Sequence, residues 1–437
     1  MRKRLGTGLE LALRSALGPA FLGMRWTASD GPARPHGVPT AARSLSVMGK
    51  ILADELFFAS EVFLAASPRI LSALLDRERL SRELAEALAL ADREGWLADP
   101  ASYHGTPPPL EKVSRVSRRA AGLGYEEIAF ESGYVPHEGE PGRARWQSHT
   151  RNRIAYARCL RHAGPPRPWV LCIPGYRMGH PRVDFVGFRA RWLHQDLGLN
   201  VAIPVMPLHG PRAEGLRSGD GFLTGDLADT LHAVAQAVWD VRRLAGWLRR
   251  DAGAPALALK GLSLGAYTTG LVAGLEPDLD CVIAGVPAAD FVRLARHSAP
   301  PLLRWLAERA GFPWEAVERV LRLISPLALV PLVPRERRFL FAGLVDRLAT
   351  PDHAHDLWEH WERPRIAWYQ GGHVSFCWEG AVQDLVYEAL SCSGLVPAPL
   401  GGRVSARPEE APGDDAWESM KASSSPNAGA SSSVPIS

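Results

Sequence analysis

From about residue 120 to residue 370 the chain repeats one pattern: a short apolar run, then a helical segment. The runs are Tyr125–Tyr134, Arg153–Leu160, Trp169–Ile173, Val201–Val205, Ala256–Lys260, Cys281–Gly285, Phe339–Ala342 and Arg365–Tyr369. Helical patterns, among them Phe188–Leu197 and a long one at about Leu227–Arg250, lie between them. Runs of this length with little polar alternation are strands buried on both faces. Strands separated by helices pair in parallel, because a crossover needs a helix to return the chain. The expectation is therefore an α/β domain over 120–397 with a mostly parallel sheet covered on both sides.

The flanks read differently. Residues 1–48 are basic and contain Pro and Gly through 31–39, so a poorly ordered start is expected. Residues 49–119 read as a helical region. Leu52, Leu56, Phe57, Val62 and Phe63 form one helical pattern, and Leu71, Leu74, Leu75, Leu80, Leu84 and Leu88 a second. The favoured reading is a hairpin packed on the main domain. A membrane-surface or acyl-binding stripe of Phe57, Phe58 and Phe63 is the alternative, opposed by Asp54, Glu55 and Glu61. Residues 291–335 are longer than an ordinary connection and rich in Leu and Trp, and are expected to form a helical cap. Residues 398–437, dominated by Pro, Ala, Gly and Ser, are expected to be disordered.

The strongest chemical signal is Gly261-Leu262-Ser263-Leu264-Gly265, between an apolar strand and a small-residue helix. A serine presented for attack sits on a sharp strand-to-helix turn, and the close approach leaves no room for side chains two residues either side. The helix amino terminus then points at the site and favours negative charge. Further on, Ile366-Ala-Trp-Tyr-Gln-Gly-Gly-His373 combines a strand, two glycines and a histidine.

The order of elements, the 261–265 motif and Gly371-Gly-His-Val-Ser375 resemble the α/β-hydrolase superfamily, on its esterase and lipase side, and more narrowly one branch of α/β-hydrolase-domain proteins. The likeness covers about 120–395. It implies an eight-stranded sheet and a Ser-acid-His triad. Ser263 is then the nucleophile and His373 the base, which takes the serine proton and returns it to the leaving group. The acid is read as Asp346, at the end of Phe339-Leu-Phe-Ala-Gly-Leu-Val-Asp346. Its intervals, 83 residues from Ser263 (346 − 263) and 27 to His373 (373 − 346), each hold a strand and a helix. Asp290 is the second candidate and Asp352 the third.

Acyl transfer also needs N–H donors aimed at the developing oxyanion. Leu264 supplies one and Tyr176, in Pro174-Gly175-Tyr176, the other. Lipases carry His-Gly-Gly-Gly at that loop, so the departure argues against lipase-like substrates. Gly175, Arg177 and His209 are candidate substrate contacts. His209 and Arg212 serve equally well as loop supports.

Several classes are excluded. The net charge of +3, from 50 basic and 47 acidic side chains, makes no electrostatic case for nucleic acid. No apolar run approaches the ~18 residues a transmembrane helix needs, which leaves only peripheral membrane contact. Five cysteines without a Cys-x-x-Cys fit a reducing, cytoplasmic setting, although the basic start is compatible with a transit peptide. Asp352, His355, Asp356 and His360 lack a further ligand, so no metal is expected, and no nucleotide-binding glycine motif occurs. The expectation is a cofactor-free serine hydrolase acting on a small-molecule or lipid-like ester or thioester. An acyltransferase or peptidase on the same triad, or a non-catalytic binding protein, is the alternative. The pattern is silent on the oligomeric state.

Overall fold

A computed structural model describes residues 35–65, 76–215, 217–223, 226–299, 301–309 and 311–398. The expectations for residues 1–34 and 399–437 lie outside the described residues, as do Leu71, Leu74 and Leu75 and the side chains of Val62, Phe63, Leu302, Leu303 and Leu306.

Among the described residues nine strands form one sheet: β1 Ser114–Ala120, β2 Leu123–Glu131, β3 Ile154–Leu160, β4 Trp169–Ile173, β5 Asn200–Pro204, β6 Leu257–Leu262, β7 Cys281–Gly285, β8 Arg338–Gly343 and β9 Arg365–Tyr369. The order is β1-β2-β3-β5-β4-β6-β7-β8-β9. β1, β2 and β3 are joined antiparallel, and β3 meets β5 antiparallel. From β5 to β9 every pairing is parallel. Without β1 the order and strand directions are those of the α/β-hydrolase fold.

β1 corrects two expectations. The sheet has nine strands instead of eight, and residues 114–120 are strand although they fall in the stretch read as helical. Six of the seven residues of β1 are exposed, so Ser-Arg-Val-Ser-Arg-Arg-Ala carries none of the apolar signal that marks a buried strand. Its pairing comes from the tight Ala121-Gly122 turn into β2, where both residues have positive φ. The 188–197 helix is also displaced: the α-helix is Pro181–Gly187, and a π-helical turn follows at Trp192–Asp196.

The central strands β4, β6, β7 and β8 are buried at every position. Alternate residues feed two cores. Leu171, Ile173, Leu257, Leu259, Val282, Ala284 and Leu340 face one, beneath the long helix Leu227–Arg250. Val170, Cys172, Ala258, Cys281, Ile283, Phe339 and Phe341 face the other, beneath Gly380–Cys392.

Between β7 and β8 lie helices Phe291–Ser298, Pro301–Arg309 and Trp314–Leu321. Val317, Val320 and Leu321 of the last join the same core as Leu84 of helix Arg77–Arg93. The first described helix, Leu45–Ala65, overturns the face expected for it. Leu52 and Leu56 are exposed, and Asp54 and Glu55 are buried. Among the described residues no helix is long and apolar enough to cross a membrane.

Candidate active site

The strand order places β4 centrally, with β5 on one side and β6 on the other. The order in which the chain adds strands reverses there, and in sheets of this kind the loops leaving the carboxyl ends of strands at such a switch point flank the site. The loops after β4, β5, β6, β8 and β9 all emerge at that edge and carry Gly175, Tyr176, Arg177, His209, Ser263, Leu264, Asp346 and His373, while Asp290, the second acid candidate, follows β7.

Ser263 leaves β6 with φ 55° and ψ −115° and opens helix Leu264–Ala273. A non-glycine residue adopts this conformation only when its surroundings impose it. The surroundings are the two glycines. A Cβ on Gly261 would strike the Gly265 carbonyl and the Thr269 hydroxyl, and a Cβ on Gly265 would strike the Ile173 carbonyl of β4. The Ser263 N–H is tied to Gly285 O of β7 at 2.9 Å. Strand, helix and both neighbouring strands thus leave the serine one position, partly exposed.

His373 follows β9 and is buried. Its Nε2 lies 3.0 Å from Ser263 Oγ, and its Nδ1 lies 2.7 Å from Asp346 Oδ2. With Asp346 accepting from Nδ1–H, Nε2 is left as the acceptor for the serine hydroxyl. The other oxygen of Asp346 accepts from Leu348 N–H and Ala349 N–H at 2.9 and 3.0 Å, which fixes the carboxylate. The acid loop is also joined to the base loop, where Val345 N–H donates to Gly371 O at 3.1 Å, and the base loop is tied to its own strand, where Tyr369 Oη donates to Gly372 O at 2.7 Å.

Burial alone would push the His373 imidazole below its ordinary pKa of 6.5. The charge of Asp346, its hydrogen bond and the charge of Asp54 outweigh burial and raise it.

The competing acids are employed elsewhere. Asp290 caps helix Phe291–Ser298 by accepting from Val292 and Arg293 N–H. Asp352 accepts from Arg293 Nη1 at 2.9 Å. Of the residues weighed as metal ligands, Asp356 pairs with Arg293, His355 meets His36 O, and His360 meets Leu329 O. Among the described residues no group of side chains is arranged to hold a metal ion.

The loop after β4 comes against the nucleophile. A Cβ on Gly175 would sit 3.0 Å from Leu262 O and 3.4 Å from Ser263 Cβ. Tyr176 is the next residue, and Leu264 N–H lies at the first position of the nucleophile helix, where no intrahelical acceptor exists. Arg177 follows with φ 69°, its guanidinium over the Tyr176 ring and bound to Asp220 and to Ser218 O. His209 is fully buried. Its Nδ1 lies 2.8 Å from Pro207 O, and its Nε2 accepts from Arg177 N–H at 3.3 Å. Burial lowers its pKa to about 4, so it is neutral. Arg212, also buried, binds Val205 O and Asn152 O, both at 2.9 Å. His209 and Arg212 therefore brace the loops.

Two groups of supporting residues carry no sequence signal that points to the site. Arg158, buried in β3, donates to Asp184 Oδ2 at 2.5 Å and to Gly179 O at 2.7 Å; Asp184 Oδ1 accepts from Gly179 N–H at 2.9 Å. They close the loop that starts at Gly175. A charged residue inside an otherwise apolar strand was the available clue. The second group, Asp54 and Glu55, lies on helix Leu45–Ala65. Asp54 accepts from His373 and Val374 N–H.

Comparison with known proteins places these features. No family model matches the chain. Among solved structures, acetyl xylan esterase 1 from Thermoanaerobacterium sp. JW/SL YS485 is 15% identical, with a TM-score of 0.44, over 63% of this chain and 93% of that one. A puromycin-hydrolyzing peptidase of Mycobacterium tuberculosis is 18% identical, with a TM-score of 0.39, over 68% and 41%. The protein MT2702 of Mycobacterium tuberculosis strain CDC 1551 / Oshkosh, described as uncharacterized, is 40% identical over 394 residues, covering 89% of this chain and 93% of its own. Its counterpart Rv2627c in strain H37Rv matches over the same shares. The strand order and directions of its sheet are those of the α/β-hydrolase fold, and the chain belongs to one family with these two mycobacterial proteins.

Proposed function

We propose that the protein is a serine hydrolase that cleaves a carboxylic ester or thioester through an acyl-enzyme. The observation that carries this reading is the unbroken chain from Ser263 Oγ through His373 to Asp346, at 3.0 and 2.7 Å, on a strained turn at the carboxyl edge of the sheet. In the first step Ser263 Oγ bonds to the acyl carbon while its proton passes to His373 Nε2. Asp346 holds the Nδ1–H tautomer and stabilises the imidazolium. The carbonyl oxygen takes the negative charge, met by the N–H groups of Leu264 and Tyr176. As the acyl–oxygen or acyl–sulfur bond breaks, His373 returns the proton to the leaving group. Water then bonds to the acyl carbon as the same imidazole takes its proton, and that proton returns to Ser263 Oγ as the acyl–Oγ bond breaks and the acid leaves.

An acid–base pair around a serine serves transfer to other acceptors and amide cleavage equally well, so ester or thioester chemistry rests on the resemblance to esterases. Arg177 is spent on Asp220 and Ser218, which argues against a free cation for an anionic acyl group. The 291–335 helices, with Trp305 exposed, are read as the cap that meets the acyl chain.

A panel of p-nitrophenyl esters of increasing chain length, run on wild type and Ser263→Ala, tests the reading. Hydrolysis that Ser263→Ala lowers by about 10⁴-fold or more is the expected result. Equal rates in the two proteins would remove the serine mechanism.

A further inference from the structure

Helix Leu45–Ala65 meets the hydrolase domain with the wrong face for a helix docked only for stability. Leu45, Met48, Leu52 and Leu56 are 86, 61, 51 and 53% exposed. Among its described residues it buries Val47 and two carboxylates, Asp54 and Glu55. Asp54 Oδ2 accepts from His373 N–H at 2.5 Å and Oδ1 from Val374 N–H at 3.1 Å. Glu55 Oε1 meets Arg347 Nε, beside Asp346, at 2.8 Å. Lys50 Nζ reaches Gln370 O at 2.9 Å and Glu379 Oε1 at 2.5 Å, and Ala42 N–H donates to the Gln370 side chain at 2.8 Å. Gly372 lies so close that a Cβ there would run into the Asp54 carboxylate.

We propose that Asp54 is a positioning residue, which sets the His373 imidazole by gripping the backbone N–H groups of residues 373 and 374, so that residues 42–55 complete the active site. The proposal rests on the serine-hydrolase reading given above. The loop is tied at the Gly371 and Gly372 carbonyls, but neither glycine has a side chain to seat it, and proton transfer needs the backbone at 373 and 374 held to a few tenths of an ångström. A carboxylate accepting both N–H groups supplies that constraint with strong, charge-assisted bonds. The arrangement opposes the helix's own preference. A buried carboxylate loses its hydration, and Asp54 also stands near a second carboxylate, Asp346; its pKa is raised to about 6, by burial first and Asp346 second, against the lowering effect of His373 and the two N–H groups. An apolar side chain of similar size would dock the helix at lower cost. The titratable groups facing Asp54 are Asp346 from the β8 loop and His373 and Tyr369 from the β9 loop. Arg347 and Glu379 are engaged by Glu55 and Lys50.

The test uses the full chain, wild type and Asp54→Asn, with kcat, KM and the rate constant of fluorophosphonate labelling measured across about pH 5–9. Asparagine keeps the size and one acceptor, but turns an amide against the second N–H. Expected are a fall in kcat of about 10-fold or more, a KM within about two-fold, and an acid limb moved to lower pH. The limb moves down because Asp54 is one of the charges that raise the His373 pKa. Wild-type kcat and limb in Asp54→Asn would overturn the proposal. So would a smaller fraction of active protein with an unchanged rate constant per site and an unmoved limb, since that is a folding role alone. Should Asp54→Asn fail to fold, Lys50→Gln loosens the same helix from the rim: kcat lowered several-fold supports the proposal, and wild-type kcat overturns it. If wild type itself shows no Ser263-dependent labelling, the hydrolase reading falls and takes this one with it. Labelling that Asp54→Asn leaves unchanged sinks the positioning role alone.

Discussion

The two halves of the reacting pair are held in opposite ways. Ser263 is fixed by its own neighbourhood: Gly261, Gly265 and the strands on either side leave the turn no slack. His373 is fixed from far away, by a carboxylate 319 residues earlier in the chain. A nucleophile that must carry backbone strain needs a rigid local frame, because strain persists only where packing over-determines it. A base that must exchange a proton needs a loop with some give, and then an outside hand to limit it. The difference separates what the hydrolase domain does alone from what it borrows.

Breaking the local frame has the largest effect. Gly265→Ala drives a methyl group into the Ile173 carbonyl, a backbone atom that cannot yield. Loss of about 3 kcal/mol or more of stability is expected, seen as a large drop in Tm or as insoluble protein. A Tm near wild type would mean that the turn is not tight. Asp346→Asn comes next. The fold is retained, but the wrong tautomer of His373 is favoured, and kcat falls by about 10³–10⁴-fold. Asp290→Asn, which touches a helix cap and a pairing with Arg293, leaves kcat within about three-fold; a reversal of these two results would reassign the acid. The smallest effect is a shift along the pH axis. Neutral His373 is the active form, and its pKa is raised by Asp346 and Asp54 against burial. Activity is therefore lost as pH falls through a value above 6.5, and a limb midpoint at or below 6.5 would contradict that balance.

The same contrast explains what was legible in the sequence. Strands β4, β6, β7 and β8 and the serine turn announce themselves, because burial on both faces and close strand–helix approach each demand particular residues in order. The spacing of Asp346 and His373 is readable for the same reason, since each sits where its strand ends. β1 is not readable: its residues are exposed, and its pairing is set by the turn that follows. Asp54 and Glu55 are not readable either. In a helix otherwise marked by Leu and Phe they look like the solvent face, and only their partners at 373, 374 and 347 show that this face is turned inward. His209 and Arg177 are legible as candidate substrate contacts because they lie on the right loops; what the sequence does not show is that His209 meets Pro207 O and Arg177 N–H, and that Arg177 meets Asp220.

The account depends on His373 making Ser263 nucleophilic. The most direct measurement is intact-mass spectrometry of the folded protein during reaction with a fluorophosphonate, for wild type and His373→Ala, with the adduct mapped by peptide digestion. One adduct on Ser263 in wild type, and labelling slowed by about 10³-fold or more without the imidazole, is the predicted result. An adduct at another residue, or equal labelling of the two proteins, would contradict it.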